Sequence, residues 1–347
     1  MTVGVWKNGV FSELANFPSV DRGSTPEFFY AYDTTIALNN MIYILNSNRV
    51  LAFDPVTKTS HDVYRPTVGD NILSITASKT ARKLYIRVAP HFDPQEETYM
   101  TEMLLEMDID TEAVGEIARM NKKPYTHLRY IANTRRKGDV IYCMCGGEGS
   151  GTWQTYYLHT ADGRTEVLRD INHGNKRQES IFDYAYDLDS LVGKYTSYTD
   201  PESYSGEESE IFLYNIYSQE EKSTGIRANT YFFILSDDAR LLVAFTRTEH
   251  AIYSFPDGEL IRKRTIKNPK TYHPFGFLST TEKTLWTETE KPPYDQPNDQ
   301  KTLKMNYDGV DPVVTSIAPE GFHPLEKPLG RDNELLFYKV EPVGAKN

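Results

Sequence analysis

Three histidines, His127, His273 and His323, are spread over most of the chain, yet each stands at the start of a segment that reads as a β-strand. Gathered at one place, their neutral imidazoles could hold one divalent metal ion and leave positions open for a substrate oxygen; acid would release the ion by protonating them. Asp70, Asn71, Asp183 and Asn229 occupy comparable strand starts. Pro274 and Pro324 directly follow two of the histidines, which suits ordinary extended backbone equally well. No HExxH-like pair supports the set, and no G-x-S-x-G elbow is present. The glycine-rich run Gly147-Glu148-Gly149-Ser150-Gly151 joins two β segments, so it lacks the helix N-terminus and the lysine that a phosphate loop needs. No residue is therefore assigned a catalytic role, and a cofactor enters only as the alternative of a single divalent metal ion.

A second group of residues is suited to binding. Phe92, Asp93, Glu96 and Glu97, then Trp153, then Tyr198, Tyr204, Glu207 and Glu208, then Tyr294, fall in four long segments that read as loops or as a mobile insert over 194–210. Aromatic side chains with a polar tip anchor interfaces, and the carboxylates between them would steer a basic surface into register. Long loops on a rigid scaffold commonly carry function.

The chain has 347 residues and a net charge of −11, which repels phosphate backbones and argues against general nucleic-acid binding. Basic residues cluster at Lys79, Arg82 and Lys83, at Arg135 to Lys137, and at Arg262, Lys263, Arg264, Lys267 and Lys270; these read as solvated turns and an outer strand. No apolar stretch approaches bilayer length, and the first thirty residues lack the basic and apolar regions of a signal peptide. Cys143 and Cys145, two apart on one expected strand, point the same way but lie too far apart for a relaxed disulfide. A soluble cytoplasmic protein without membrane insertion is expected.

These residues hang on a repeat. Ile42-Tyr43, Leu84-Tyr85, Ile141-Tyr142, Leu191-Val192, Leu242-Val243, Leu285-Trp286 and Leu336-Phe337 recur about every 49 residues, a period of propellers and solenoids. Each pair is preceded by an apolar strand and a polar turn, and followed by a hairpin whose turn is marked by residues such as Asp54-Pro55, Asp108 to Thr111, Asp162-Gly163, Asp257-Gly258 or Asp308-Gly309. Four strands per repeat place antiparallel blades at about 30–65, 71–119, 127–169, 180–225, 229–267 and 273–317. The C-terminus offers two strands over 322–342 and the N-terminus one hairpin over 2–15; pairing them completes a seventh blade within a single domain spanning 1–347.

With Ser236-Asp237-Asp238 and Asn306-Tyr307-Asp308-Gly309 as its turns, the repeat resembles the divergent seven-bladed β-propellers related to YVTN and TolB-like repeats. The marks of WD40 and kelch repeats are absent, so the partners of those families do not carry over. The resemblance implies an all-β propeller with its long loops on one face. The expected function is a non-catalytic platform that shows an acidic, aromatic face to a protein or extended ligand, with a basic surface as the natural complement. The alternative is a metal-dependent lyase or hydrolase acting on a polar or carbohydrate substrate at the channel mouth, since some propeller lyases bind a metal through such histidines. A second alternative is lectin-like sugar binding.

Overall fold

A computed structural model describes residues 2–7, 10–17, 35–38, 41–46, 48–78, 80–90, 101–121, 126–148, 151–172, 177–200, 205–230, 232–236, 238–245, 249–265, 278–279, 284–288, 302–306, 315–316, 323–324 and 334–339. The N-terminal hairpin is β1 (Thr2–Lys7) and β2 (Val10–Asn16). Next come β3 (Thr35–Leu38), β4 (Met41–Asn46), β5 (Arg49–Asp54) and β6 (Thr59–Tyr64), then β7 (Asn71–Ala77), β8 (Lys83–Ala89), β9 (Thr101–Asp108) and β10 (Val114–Asn121). The third sheet is β11 (Thr126–Asn133), β12 (Val140–Glu148), β13 (Gly151–His159) and β14 (Thr165–Asn172). The fourth is β15 (Arg177–Ala185), β16 (Ser190–Asp200), β17 (Ser205–Asn215) and β18 (Glu221–Ala228). β19 (Phe232–Leu235), β20 (Leu241–Phe245), β21 (Glu249–Ser254) and β22 (Leu260–Thr265) form the fifth, and β23 (Leu278–Ser279), β24 (Thr284–Glu288), β25 (Thr302–Asn306) and β26 (Thr315–Ser316) the sixth. The last strands, β27 (His323–Pro324) and β28 (Glu334–Lys339), join the N-terminal hairpin in the order β2-β1-β28-β27.

Among the described residues there are thus seven four-stranded sheets, paired in sequence order apart from the one that joins the two termini. All seven apolar pairs lie on the second strand of their sheet. The reason is packing on both faces. Successive residues of a strand point to opposite sides, and Ile42 joins a core with Val3, Phe17 and Phe53 while Tyr43 joins another with Ile75, Leu84 and Leu105. Leu191 and Val192 divide in the same way between a core holding Ile141 and Phe212 and one holding Leu213 and Leu242. A strand buried on both sides needs consecutive apolar residues, whereas the outer strands alternate or turn polar.

Contacts divide the chain into two compact units, one of residues 1–130, 296–302 and 316–347, the other of residues 131–295 and 303–315. Both use the same turn chemistry. The third strand of a sheet ends at Asp54, Asp108 or Asn215, whose side-chain oxygen accepts the backbone N–H groups two and three residues on at 2.8–3.3 Å. The backbone then closes through N–H groups of Lys58, Glu112 and Gln219, which donate back to those residues at 2.8–2.9 Å with φ of +59°, +56° and +58°. Gly258 takes the same place at φ +76° in the fifth sheet, where left-handed backbone costs glycine least. Replacing Asn215 by Ala removes both of these bonds, together with the one its Nδ2 donates to the Leu188 carbonyl at 3.3 Å, and is expected to cost about 1 kcal/mol; urea denaturation that gives an unchanged midpoint would show the turn to be held by its backbone alone.

The first turn of several sheets has its own device. The N–H groups of Ser78, Thr134 and Ser236 donate to the carbonyls of Lys83, Asp139 and Leu241 at 2.9–3.1 Å, and their hydroxyls accept from the turn amides. Asp238 serves this turn too, accepting from the Ser236 hydroxyl at 2.7 Å.

Candidate functional site

The two long hairpins of the second unit are built as ladders. Of residues 146–153, expected as a loop, 146–148 and 151–153 continue the ladder that runs from Val140↔His159 through Gly146↔Trp153 to Glu148↔Gly151, so Trp153 is a half-buried strand residue with Asn172 on its other side. At the other end of this ladder Tyr142 stacks on Tyr157 at 5.1 Å, and its hydroxyl is pushed up to about 12 by burial first and by Tyr157 second. In the insert expected over 194–210, residues 194–200 and 205–210 are strand residues: β16 and β17 pair from Ser190↔Asn215 to Asp200↔Ser205. Threonine, tyrosine and serine, which read as loop residues beside so many glutamates, are good strand formers once a partner strand supplies the hydrogen bonds.

Among the described residues, β15 follows β16 as far as Ser197, and β18 follows β17 from Ser209 onward. Within that set Tyr198↔Glu207 and Asp200↔Ser205 form a two-stranded ribbon past the described flanking pairs, with Ser197↔Glu208 at its root. Glu208 is exposed and Tyr198 half-buried.

The base of the ribbon is braced. Arg169 of β14 bonds Glu179 of β15, Tyr195 of β16 at 2.9 Å and Glu221 of β18 at 2.7 Å, and its guanidinium lies 5.0 Å from the Phe212 ring and 4.7 Å from that of Tyr214. Burial works against the Arg169 charge, but Glu179 and Glu221 outweigh it and raise its pKa. Tyr195 donates to Glu221 at 2.8 Å and stacks on Phe212 at 4.5 Å; burial first and Glu221 second push its hydroxyl up to about 12. Gly193 faces Phe212 across the ladder, where a Cβ would come within 2.2 Å of the ring. Only glycine lets the ring lie flat there.

Among the metal candidates, His127 lies at the start of β11 with its side chain 46% exposed. Its Nδ1 stands 3.7 Å from the Glu102 carboxylate and 3.4 Å from Arg87 Nη2. His323 pairs with Tyr338 through the backbone. His273 lies outside the described residues, as do Phe92, Asp93, Glu96, Glu97, Tyr204 and Tyr294. Among the described residues no three His, Cys, Asp or Glu side chains are grouped to hold a metal ion.

What His127 touches was not anticipated. Glu102 is fully buried, accepting from Arg87 Nε at 2.7 Å and from the Leu128 N–H at 2.9 Å. Burial pushes its carboxyl up, yet His127, Arg87 and the Leu128 amide together outweigh that and hold it below the usual carboxylate range. The sequence signal was a glutamate at the head of the apolar run Met103-Leu104-Leu105 on an otherwise buried strand.

Four cations of the first two basic clusters have internal partners. Arg82 forks onto Asp110, Lys83 meets Glu106, Arg135 grips Asp189 at 2.6 Å, and Arg136 lies 3.7 Å over the Tyr217 ring. Cys143 and Cys145 lie on β12 and are not joined in a disulfide.

No family model matches the chain, and no curated protein sequence matches it. Solved structures do. An oligogalacturonate lyase in complex with manganese is similar at 14% identity over 72% of this chain and 70% of that one, with a TM-score of 0.54. The β-propeller domain of the Trilobed protease from Pyrococcus furiosus matches at 12% identity over 90% and 83%, with a TM-score of 0.50. A chain of the mitotic checkpoint complex matches at 9% identity over 96% and 99%, with a TM-score of 0.51. At such identities the likeness is one of fold: the chain is a divergent β-propeller. No helix among the described residues is long and apolar enough to cross a membrane.

Proposed function

We propose that this propeller is a non-catalytic binding platform whose ribbon of β16 and β17 presents tyrosine and glutamate to a protein or extended ligand with a basic surface. The supporting observation is the ladder that, among the described residues, continues past the pairs made by both flanking strands, with Tyr198 paired to Glu207 and Ser197 to Glu208. A braced ribbon displays its side chains at small entropic cost, because binding need not order a loop. Trp153, Tyr204 and Tyr294, from the same unit, would add apolar anchors. Two cysteines not joined in a disulfide fit a reducing compartment, and the cytoplasm is the proposed location.

A labelled oligo-arginine peptide titrated by fluorescence anisotropy tests the reading. Glu207→Lys with Glu208→Lys should weaken binding about tenfold or more, whereas Glu112→Lys with Glu116→Lys, an equal change of charge on another sheet, should change it little. Equal losses in both pairs would reduce the attraction to net charge and remove the ribbon as a site. Binding that requires a divalent cation and disappears in His127→Ala would favour the metal-dependent enzyme instead.

A further inference from the structure

Pairing in β14 steps from Val167↔Tyr157 to Arg169↔Tyr156 and leaves Leu168 as the extra residue of a β-bulge. Val63 of β6 and Ile261 of β22 are extra residues of the same kind. A bulge re-aims the side chains beside it. Here the consecutive residues Leu168 and Arg169 both meet the sheet of β15 to β18. Leu168 packs in the core that holds Phe212 and Tyr214, and its carbonyl accepts from the Tyr214 hydroxyl at 2.7 Å. Arg169 goes further and touches all four strands of that sheet: it bonds Glu179 of β15, Tyr195 of β16 and Glu221 of β18, and its guanidinium lies against Phe212 and Tyr214 of β17.

The Arg169 side chain is only 15% exposed. An ion pair taken out of water gains little net stability over an apolar pair, because desolvation offsets the attraction. What a planar guanidinium with fixed donors does supply is one geometry for its partners. Tyr195 stands two residues before Ser197, on the same face of β16 and at the root of the ribbon. At the other end of β16 the same two sheets are joined again, where Arg135 holds Asp189 next to Ser190.

We propose that Arg169 is a positioning residue for the ribbon of β16 and β17: it holds the ribbon in one orientation on its sheet, so that a basic ligand meets a surface already placed. The role rests on the reading of the ribbon as the binding site. Its sign is opposite to that of the charge itself, since as a cation Arg169 repels a basic ligand and as a brace it favours one.

The test compares Arg169→Met with Arg135→Met, which removes the same charge from a contact between the same two sheets. Each chain is followed by anisotropy with the labelled oligo-arginine peptide and by amide hydrogen exchange without it, and thermal melts establish folding. Arg169→Met should weaken the peptide about tenfold and speed exchange over 197–200 and 205–208, while the amides of Leu191 and Val192 stay protected. Arg135→Met should leave ribbon exchange as it was and bind the peptide as well as before. Arg169→Lys, which keeps the charge without the fork, should behave like Arg169→Met. Tyr195→Phe removes the hydroxyl that meets Arg169 and Glu221, and should also speed ribbon exchange. Unchanged ribbon exchange in the folded Arg169→Met chain, or in Tyr195→Phe where that chain does not fold, would overturn the proposal. So would equal effects in Arg135→Met, or tighter peptide binding in Arg169→Met, the result expected of charge alone. Faster ribbon exchange with peptide affinity unchanged would confirm the brace and overturn the ribbon as the binding site.

Discussion

Removing residues 1–16 should unfold the first unit rather than trim it. β1 is paired on both sides, with β2 from Thr2↔Asn16 to Lys7↔Val10 and with β28 from Thr2↔Lys339 to Lys7↔Glu334. Val3 is fully buried against Ile42, Ile44, Leu51 and Phe53, with Val5, Leu14 and Ala15 packed around that core. Deletion strips one face of the β3–β6 sheet and leaves β28 with an open edge. Burial of one valine is worth about 1.5–3 kcal/mol, so losing the hairpin's apolar set should cost about 5 kcal/mol or more, comparable to the whole stability of many domains. Guanidinium denaturation followed by far-ultraviolet circular dichroism measures this. Val3→Asp in the intact chain is the companion variant, expected to cost about 3 kcal/mol through an unpaired buried carboxylate. A truncated chain with an unchanged midpoint would mean that β28 and the β3–β6 core are satisfied without β1.

Glu102→Gln should lower stability at neutral pH by about 3 kcal/mol, because Arg87, largely buried, would keep its charge and lose its counter-ion. The pH dependence has a definite sign. The folded-state pKa of Glu102 is held below its ordinary 4.5, so the unfolded chain binds the proton more readily and the carboxylate adds stability above that value. That contribution is lost as pH falls through the lower folded pKa. The stability gap between the natural chain and Glu102→Gln, measured by urea denaturation, should therefore be full at pH 7 and shrink below pH 4.5. Arg87→Met combined with Glu102→Leu should recover most of the loss, since removing both charges also removes the cost of burying them. A gap constant down to strong acid would assign the loss to packing.

The amino-acid sequence by itself determined the all-β repeat, because its signal is local. Ile42-Tyr43, Leu191-Val192 and their counterparts are apolar on consecutive residues since the second strand of each sheet is buried on both faces. The hairpin turns were legible at Asp54 and Asp108 because a side-chain oxygen there bonds amides two and three residues away. Tertiary structure decided what distant residues do to one another. Tyr198 and Glu207 looked like parts of a loop until cross-strand pairing made them ribbon neighbours. Arg82 and Arg135 looked like free surface charge, yet Asp110 and Asp189 neutralise them from other turns. His127 could be singled out from its position in the repeat, but its facing Glu102 and Arg87 depends on three strands meeting, which no spacing along the chain encodes. Ile261 shares an aliphatic bulge position with Val63 and Leu168, and only the packing around each decides that Ile261 alone of the three stays exposed.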